Sequence, residues 1–374
     1  MNNVQAWLRK LHEEKGSDLF VTAGIPPCIK VHGRIKPITD RVLSEEDTRE
    51  VVESIMTEDQ REEFRKTHEC QFAVALDDAA RFRVSAFYQQ HRAGIVCRRI
   101  ETRIPTFQEL DLPDALQDLA LTKRGIIILV GATGTGKSTT LAAMMGFRNQ
   151  SMTGHIITIE DPIEYVHHHA KSIITQREVG IDTESFEVAL RNTLRQAPDV
   201  ILIGEVRTRE AMEHAITFAE TGHLCLTTLH ANNANQAMDR ILHFFPEDQR
   251  DQVLLDLSFN LRGVVAQQLL PSIDGRRRHV ALEILLNTPL VQEKIRKGEI
   301  HEIKPIMKES VHHGMITFDQ SLVRLYQEGS ISYKDALRHA DSPNEVRLAI
   351  KLAQGGNADS LLQGMENVEV LDSD

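Results

Sequence analysis

The stretch GIIILVGATGTGKSTTLAAMMGFRN, residues 125–149, constrains the fold of this chain more than any other. An unbroken apolar run reads as a buried strand, and KSTTLAAMMGFRN reads as a helix. Between them, Gly131, Ala132, Thr133, Gly134, Thr135, Gly136, Lys137 and Ser138 fit the pattern G-x-x-x-x-G-K-[ST], in the strand–loop–helix setting that motif requires. Glycines let the backbone curl until successive N–H groups face a phosphate, and the helix N-terminus adds a favourable dipole. Lys137 supplies a point charge for β- and γ-phosphates, and Ser138, followed by Thr139, offers a hydroxyl to Mg²⁺. ATP and Mg²⁺ are the expected cofactors. A flexible glycine turn is the bland alternative, and the flanking pattern argues against it.

From Leu121 onward the sequence alternates strand and helix. HIITIED, DVILIGEV and LCLTTLH read as strands, with SFEVALRNTLRQA and TREAMEHAITFAE as helices. Near-continuous apolar strands between helices imply a parallel sheet buried on both faces. After Phe245 the chain reads as mainly helical to about residue 354, with one strand-like run at 279–285. Residues 1–104 read as a smaller α+β domain. In it, CIKVHGRIKPI reads as one strand, and CQFAVAL, ARFRVSAFYQQ and AGIVCRRI as three antiparallel neighbours. Ser44 is placed to cap a helix, with Asp47 three residues on. Residues 105–121 form the expected linker and 122–354 the expected ATPase domain with its helical end. The acidic residues 355–374 form an expected disordered tail.

Composition excludes several classes. The chain has 374 residues, enough for two domains, and its apolar runs are far short of the roughly 20 residues that span a bilayer. Four scattered cysteines without a Cys-x-x-Cys pair argue against a zinc ribbon or a disulfide scaffold. A net charge of −11 disfavours nucleic acid as a partner. A cytoplasmic location is expected.

DVILIGEVR places Gly204 where nucleotide hydrolases of this type usually carry a magnesium-holding aspartate, leaving Glu205 as the carboxylate of that strand end. TIEDPIEYV supplies Glu160, Asp161 and Glu164 at the end of another strand. In parallel sheets ligands bind beyond the carboxyl ends of strands, so these acids and the glycine loop can share a crevice; loop capping is the alternative for the acids. His223 precedes and His230 follows the strand LCLTTL, and His230 falls at the phosphate end. The triplet His167-His168-His169 reads as surface, because adjacent residues share no face and no ligand pattern completes a metal site.

Taken together, GATGTGKST, TIEDPIEY, VILIGEVRTRE and TGHLCLTTLHAN resemble, in order and interval, four motifs of the secretion-ATPase superfamily that powers type II secretion and type IV pili. The resemblance extends over nearly all of residues 1–354. It implies a RecA-like P-loop domain and a strand motif that ends on Gly-Glu, so that Gly204 is no defect. It further implies Glu205 on Mg²⁺ or its water, Glu164 activating the attacking water, and His223 and His230 linking nucleotide state to domain position. By the same resemblance RFRVSAF and VCRRI point to Arg83 and Arg98 as arginines lent to the phosphates; the residues alone make them ordinary strand arginines.

The short chain without a four-cysteine element resembles the pilus retraction branch rather than the assembly or secretion branch. TPLVQEKI, residues 288–295, departs from the main retraction motor and resembles its accessory paralogue. The implied partners are further copies of the chain, up to a hexamer, a paralogous retraction ATPase and an inner-membrane pilus platform protein, with the chain peripheral to the inner membrane. The rival readings are a nucleotide-binding adaptor to the main retraction motor with little force of its own, and a type II secretion or pilus-assembly ATPase.

Overall fold

The computed structural model describes residues 3–76 and 80–353. The expected acidic tail lies outside them. The chain begins with helix α1 (Asn3–Glu13) and strands β1 (Asp18–Val21), β2 (Cys28–Val31) and β3 (Arg34–Pro37). Helices α2 (Glu45–Ser54) and α3 (Glu58–Thr67) follow, then β4 (Glu69–Leu76), β5 (Ala80–Gln89) and β6 (Arg92–Ile100). Next come α4 (Asp114–Leu121), β7 (Gly125–Val130), α5 (Lys137–Ser151), β8 (Gly154–Glu160), β9 (Ser172–Glu178) and α6 (Phe186–Thr193). The chain continues through β10 (Val200–Ile203), α7 (Arg209–Glu220), β11 (Leu224–Leu229), α8 (Ala234–His243) and α9 (Arg250–Asn260). It closes with β12 (Leu261–Pro271), β13 (Arg278–Leu286) and helices α10 (Pro289–Arg296) to α14 (Pro343–Ala353).

Two compact units result: residues 1–105 with 153–198, and residues 106–152 with 199–374. Residues 153–198 of the first unit fall within the stretch 122–354 that reads as one domain in sequence.

In the first unit, β1 to β6 form an antiparallel sheet in the order β3-β2-β1-β6-β5-β4. Val4, Trp7, Leu8 and Leu11 of α1 recur at helical spacing and are all buried, packing in one core with Leu19, Phe72, Phe82 and Ile95. Ser44 caps α2 as its sequence suggests: its hydroxyl accepts from Asp47 N at 3.1 Å and its own N–H donates to the Asp47 carboxylate at 2.9 Å. CIKVHGRIKPI, expected as one strand, is a hairpin of β2 and β3. His32 (φ 48°) and Gly33 (φ 79°) both take positive φ, the geometry of a tight turn matched to strand twist. The unit also holds the parallel pair β8 and β9.

The second unit has β7 paired in parallel with β11 on one side and β12 on the other. β10 extends the sheet beyond β11, and β13 runs antiparallel beyond β12. Every residue of β7 is buried, as its apolar run predicts. β12 corrects the reading of this region as helical apart from one strand. Leu254, Leu257, Leu261 and Val264 keep a helical spacing straight through the boundary, so periodicity carried no stop signal. Gly263 marks the change: a Cβ there would lie 2.8 Å from the Leu285 carbonyl oxygen, so only glycine lets β12 lie this close to β13.

Candidate nucleotide site

β7 delivers the chain to the glycine loop from the middle of its sheet, with Val130 opposite Leu229 of β11 and Ala266 of β12. The loop then needs its glycines. Gly131, Gly134 and Gly136 have φ of 150°, 81° and 90°. A Cβ on Gly131 would lie 2.6 Å from both the Gln267 carbonyl oxygen and Thr135 Oγ1, and one on Gly136 would lie 2.8 Å from Gln267 Nε2. α5 starts at Lys137 with Gly136 as its N-cap, so no cap side chain takes its first-turn N–H groups. Ala132, Thr133 and Gly134 are exposed. Lys137 folds back on the loop, donating from Nζ to the Gly131 carbonyl at 2.7 Å and the Ala132 carbonyl at 2.9 Å. A curled backbone, an uncapped helix start and a lysine ammonium on the loop fit a phosphate chain.

Two more loops leave the same ends of the parallel strands. Ile203 of β10 lies beside Thr227 of β11, so Gly204-Glu205 and His230 follow neighbouring strand ends. Thr228 stitches them together, its hydroxyl donating to the Gly204 carbonyl at 2.6 Å and its own carbonyl accepting from Val206 N at 2.9 Å. This places Glu205 Oε1 3.0 Å from His230 Nε2, while Oε2 pairs with Arg207 at 2.7 Å. Lys137, Ser138, Glu205 and His230 therefore belong to one rim of one sheet.

His223 does not join them. It precedes β11, at the opposite end of a six-residue strand that spans roughly 20 Å. There its carbonyl accepts from Gly125 N at 3.0 Å and its Nδ1 lies 3.0 Å from Thr221 Oγ1.

The remaining candidates lie in the first unit. Glu160 ends β8, where Oε1 accepts from Thr158 Oγ1 at 2.6 Å and from Gln176 Nε2 at 3.2 Å. Burial raises its carboxyl to about 7 against those hydrogen bonds. Asp161 and Glu164 are exposed in the loop that follows. Gln176 of β9 ties this loop down by donating to the Tyr165 carbonyl at 2.9 Å and accepting from His167 N at 2.7 Å. Arg83 of β5 and Arg98 of β6 are register partners. Arg83 Nε lies 3.7 Å from Glu178 Oε1, and desolvation lowers its guanidinium while Glu178, Asp161 and Glu164 support its charge. Arg98, largely exposed, pairs with Asp18 at 2.9 Å.

Sequence reasoning missed Arg207, Gln176, Glu178 and Gln267. Arg207 is in plain view in GEVR, but nothing in the pattern says that it grips Glu205. The other three sit on β9 and β12, strands that the alternation read from the sequence does not contain. The histidine triplet is mixed: His168 and His169 are exposed, but burial and His168 push His167 down to about 4.

An α/β unit whose central parallel strand opens into this cradle, with carboxylate and imidazole on the neighbouring strand ends, defines a P-loop ATPase. Residues 2–334 match the family described as Type II/IV secretion system protein, and the chain belongs to that family. It is 62% identical to the Type IV pilus ATPase PilU of Pseudomonas aeruginosa, covering 98% of this chain and 97% of that protein. Identity to the Type IV pilus retraction ATPase PilT of the same organism is 38%, over 88% of this chain and 96% of PilT. Among solved structures, the pilus retraction motor PilT with bound ADP superposes with a TM-score of 0.85 at 40% identity, covering 91% of this chain and 98% of that one. The Legionella pneumophila ATPase DotB matches with a TM-score of 0.77 at 26% identity, over 89% of this chain and 93% of DotB. The expected fold class, α/β with a smaller N-terminal sheet domain and C-terminal helices, is the one found. Among the described residues no helix is long and apolar enough to cross a membrane.

Proposed function

We propose that this chain is a Mg²⁺-dependent ATPase that forms a ring, as far as a hexamer, and drives or assists retraction of a type IV pilus. The observation that carries the reading is the glycine cradle at the end of β7, in a chain 62% identical along nearly its whole length to a protein named as a type IV pilus ATPase. The N–H groups of the loop and of the first turn of α5 would hold the phosphates, and Lys137 would exchange its two carbonyl partners for phosphate oxygens. Ser138 and Glu205 would hold Mg²⁺, directly or through water; the ion's contribution is to neutralise phosphate charge. Glu164 is assigned to orienting the attacking water, and Glu160 to the binding of the nucleotide. Arg83 and Arg98 are assigned to the phosphates, and His223 and His230 to communication between nucleotide state and domain position. The partners in this reading are a paralogous retraction ATPase and an inner-membrane platform protein, not nucleic acid, and the chain works at the cytoplasmic face of the inner membrane.

A second reading makes the chain a nucleotide-binding adaptor to a main motor. It is favoured by the TPLVQEKI departure at residues 288–295. Steady-state ATP hydrolysis with and without Mg²⁺ separates the first claim from its denial. The unaltered protein turns over only with Mg²⁺, and Lys137→Ala abolishes turnover; normal turnover in that variant would remove the glycine loop from the reaction.

A further inference from the structure

Gln267 lies on β12, 3% exposed, directly beneath the glycine loop. Its Nε2 donates to the Thr135 carbonyl at 2.8 Å, and its Oε1 accepts from the Thr140 hydroxyl at 2.8 Å. Thr135 belongs to the loop and Thr140, 1% exposed, to the first turn of α5. One buried amide thus grips both halves of the cradle. Its backbone is equally close, since the Cβ absent from Gly131 would sit 2.6 Å from the Gln267 carbonyl oxygen.

We propose that Gln267 is a positioning residue for nucleotide binding, holding the loop in its phosphate-receptive curl through Thr135 and Thr140 without touching the nucleotide. A loop with three glycines at positive φ has much conformational freedom to lose when it closes on an anion. Ordering it beforehand removes that loss from the binding step. β12 is already fixed by its ladders to β7 and β13, so the amide is not needed to hold the strand. What it adds is a grip on the loop, and because Gln267 is buried, breaking either bond leaves a polar atom without water to replace its partner.

The inference rests on the nucleotide-binding reading, and titration of the full-length protein with a fluorescent ATP analogue tests it, alongside KM and kcat. Gln267→Met keeps the length and volume and removes both hydrogen bonds. Its affinity falls about tenfold and KM rises by a similar factor, kcat changes less, and the melting temperature without nucleotide falls by only a few degrees, because the buried Thr140 hydroxyl loses its acceptor. Gln267→Glu sets a second acceptor against the Thr135 carbonyl and binds no better than Gln267→Met. Adding Thr140→Val to Gln267→Met costs nothing further, because both report on the same amide. Wild-type affinity in Gln267→Met, or a loss of affinity that vanishes at a temperature where both proteins are fully folded, overturns the proposal. If Gln267→Met does not fold, Thr140→Val alone decides: weaker binding supports the grip, and unchanged binding overturns it. Failure of the unaltered protein to bind the analogue would instead overturn the nucleotide-site reading.

Discussion

His230 Nε2 lies 3.0 Å from Glu205 Oε1, and the two residues come from the ends of adjacent parallel strands. The carboxylate that follows Gly204 is therefore held in place by a side chain from the next loop, with Arg207 on its other oxygen. A glycine where an aspartate is usual leaves room at that strand end and makes Glu205 the group that others position.

His230→Gln and Glu205→Gln both retain ATP binding but lose turnover, Glu205→Gln by about a hundredfold or more and His230→Gln by about tenfold. Combined, they are far from additive, because the imidazole acts on the carboxylate. Additive losses measured by steady-state kinetics would mean that the two residues work independently.

Glu164→Gln tests the other carboxylate. Turnover falls by orders of magnitude with nucleotide affinity retained, since a group that orients water is not needed for binding. An unchanged rate would move the role to Asp161 or Glu160, its neighbours at the end of β8.

The glycines of the loop differ in what they tolerate. Gly134→Ala meets open space and carries only the strain of positive φ, about 1 kcal/mol. Gly131→Ala combines unfavourable φ with contacts at 2.6 Å to Gln267 and Thr135, and destabilises by about 3 kcal/mol or more. Denaturant unfolding without nucleotide checks the order of the two.

Glu160 gives the protein a pH dependence. Its carboxyl is raised from 4.5 to about 7 by burial, so the folded chain holds a proton that the unfolded chain has released between those values. This group therefore makes stability fall as pH rises from about 4.5 to about 7, and the loss is complete above that. Glu160→Gln keeps an acceptor for Thr158 Oγ1 and removes the titration. The variant gains stability over the unaltered protein above about pH 7 and loses that advantage in acid, as pH-dependent melting will show.

Local patterns made much of this legible in the sequence. The cradle, the all-apolar β7, the amphipathic α1 and the Ser44 cap each depend on residues within a few positions of one another. What escaped depends on chain segments that meet only after folding. β12 is hidden because its apolar residues continue the spacing of α9, and Gln267 is hidden with it. The hairpin of β2 and β3 turns on His32 and Gly33, two residues inside an otherwise alternating run. His223 and His230 look equivalent as brackets around one strand, yet that strand separates them to opposite ends of the sheet.

Complementation of twitching in a strain deleted for this protein, with unaltered and Lys137→Ala forms compared at equal abundance, decides whether ATP hydrolysis by this chain drives retraction. The unaltered protein is expected to restore twitching, and Lys137→Ala is not. Restoration by Lys137→Ala would make the chain an adaptor whose ATP hydrolysis is dispensable.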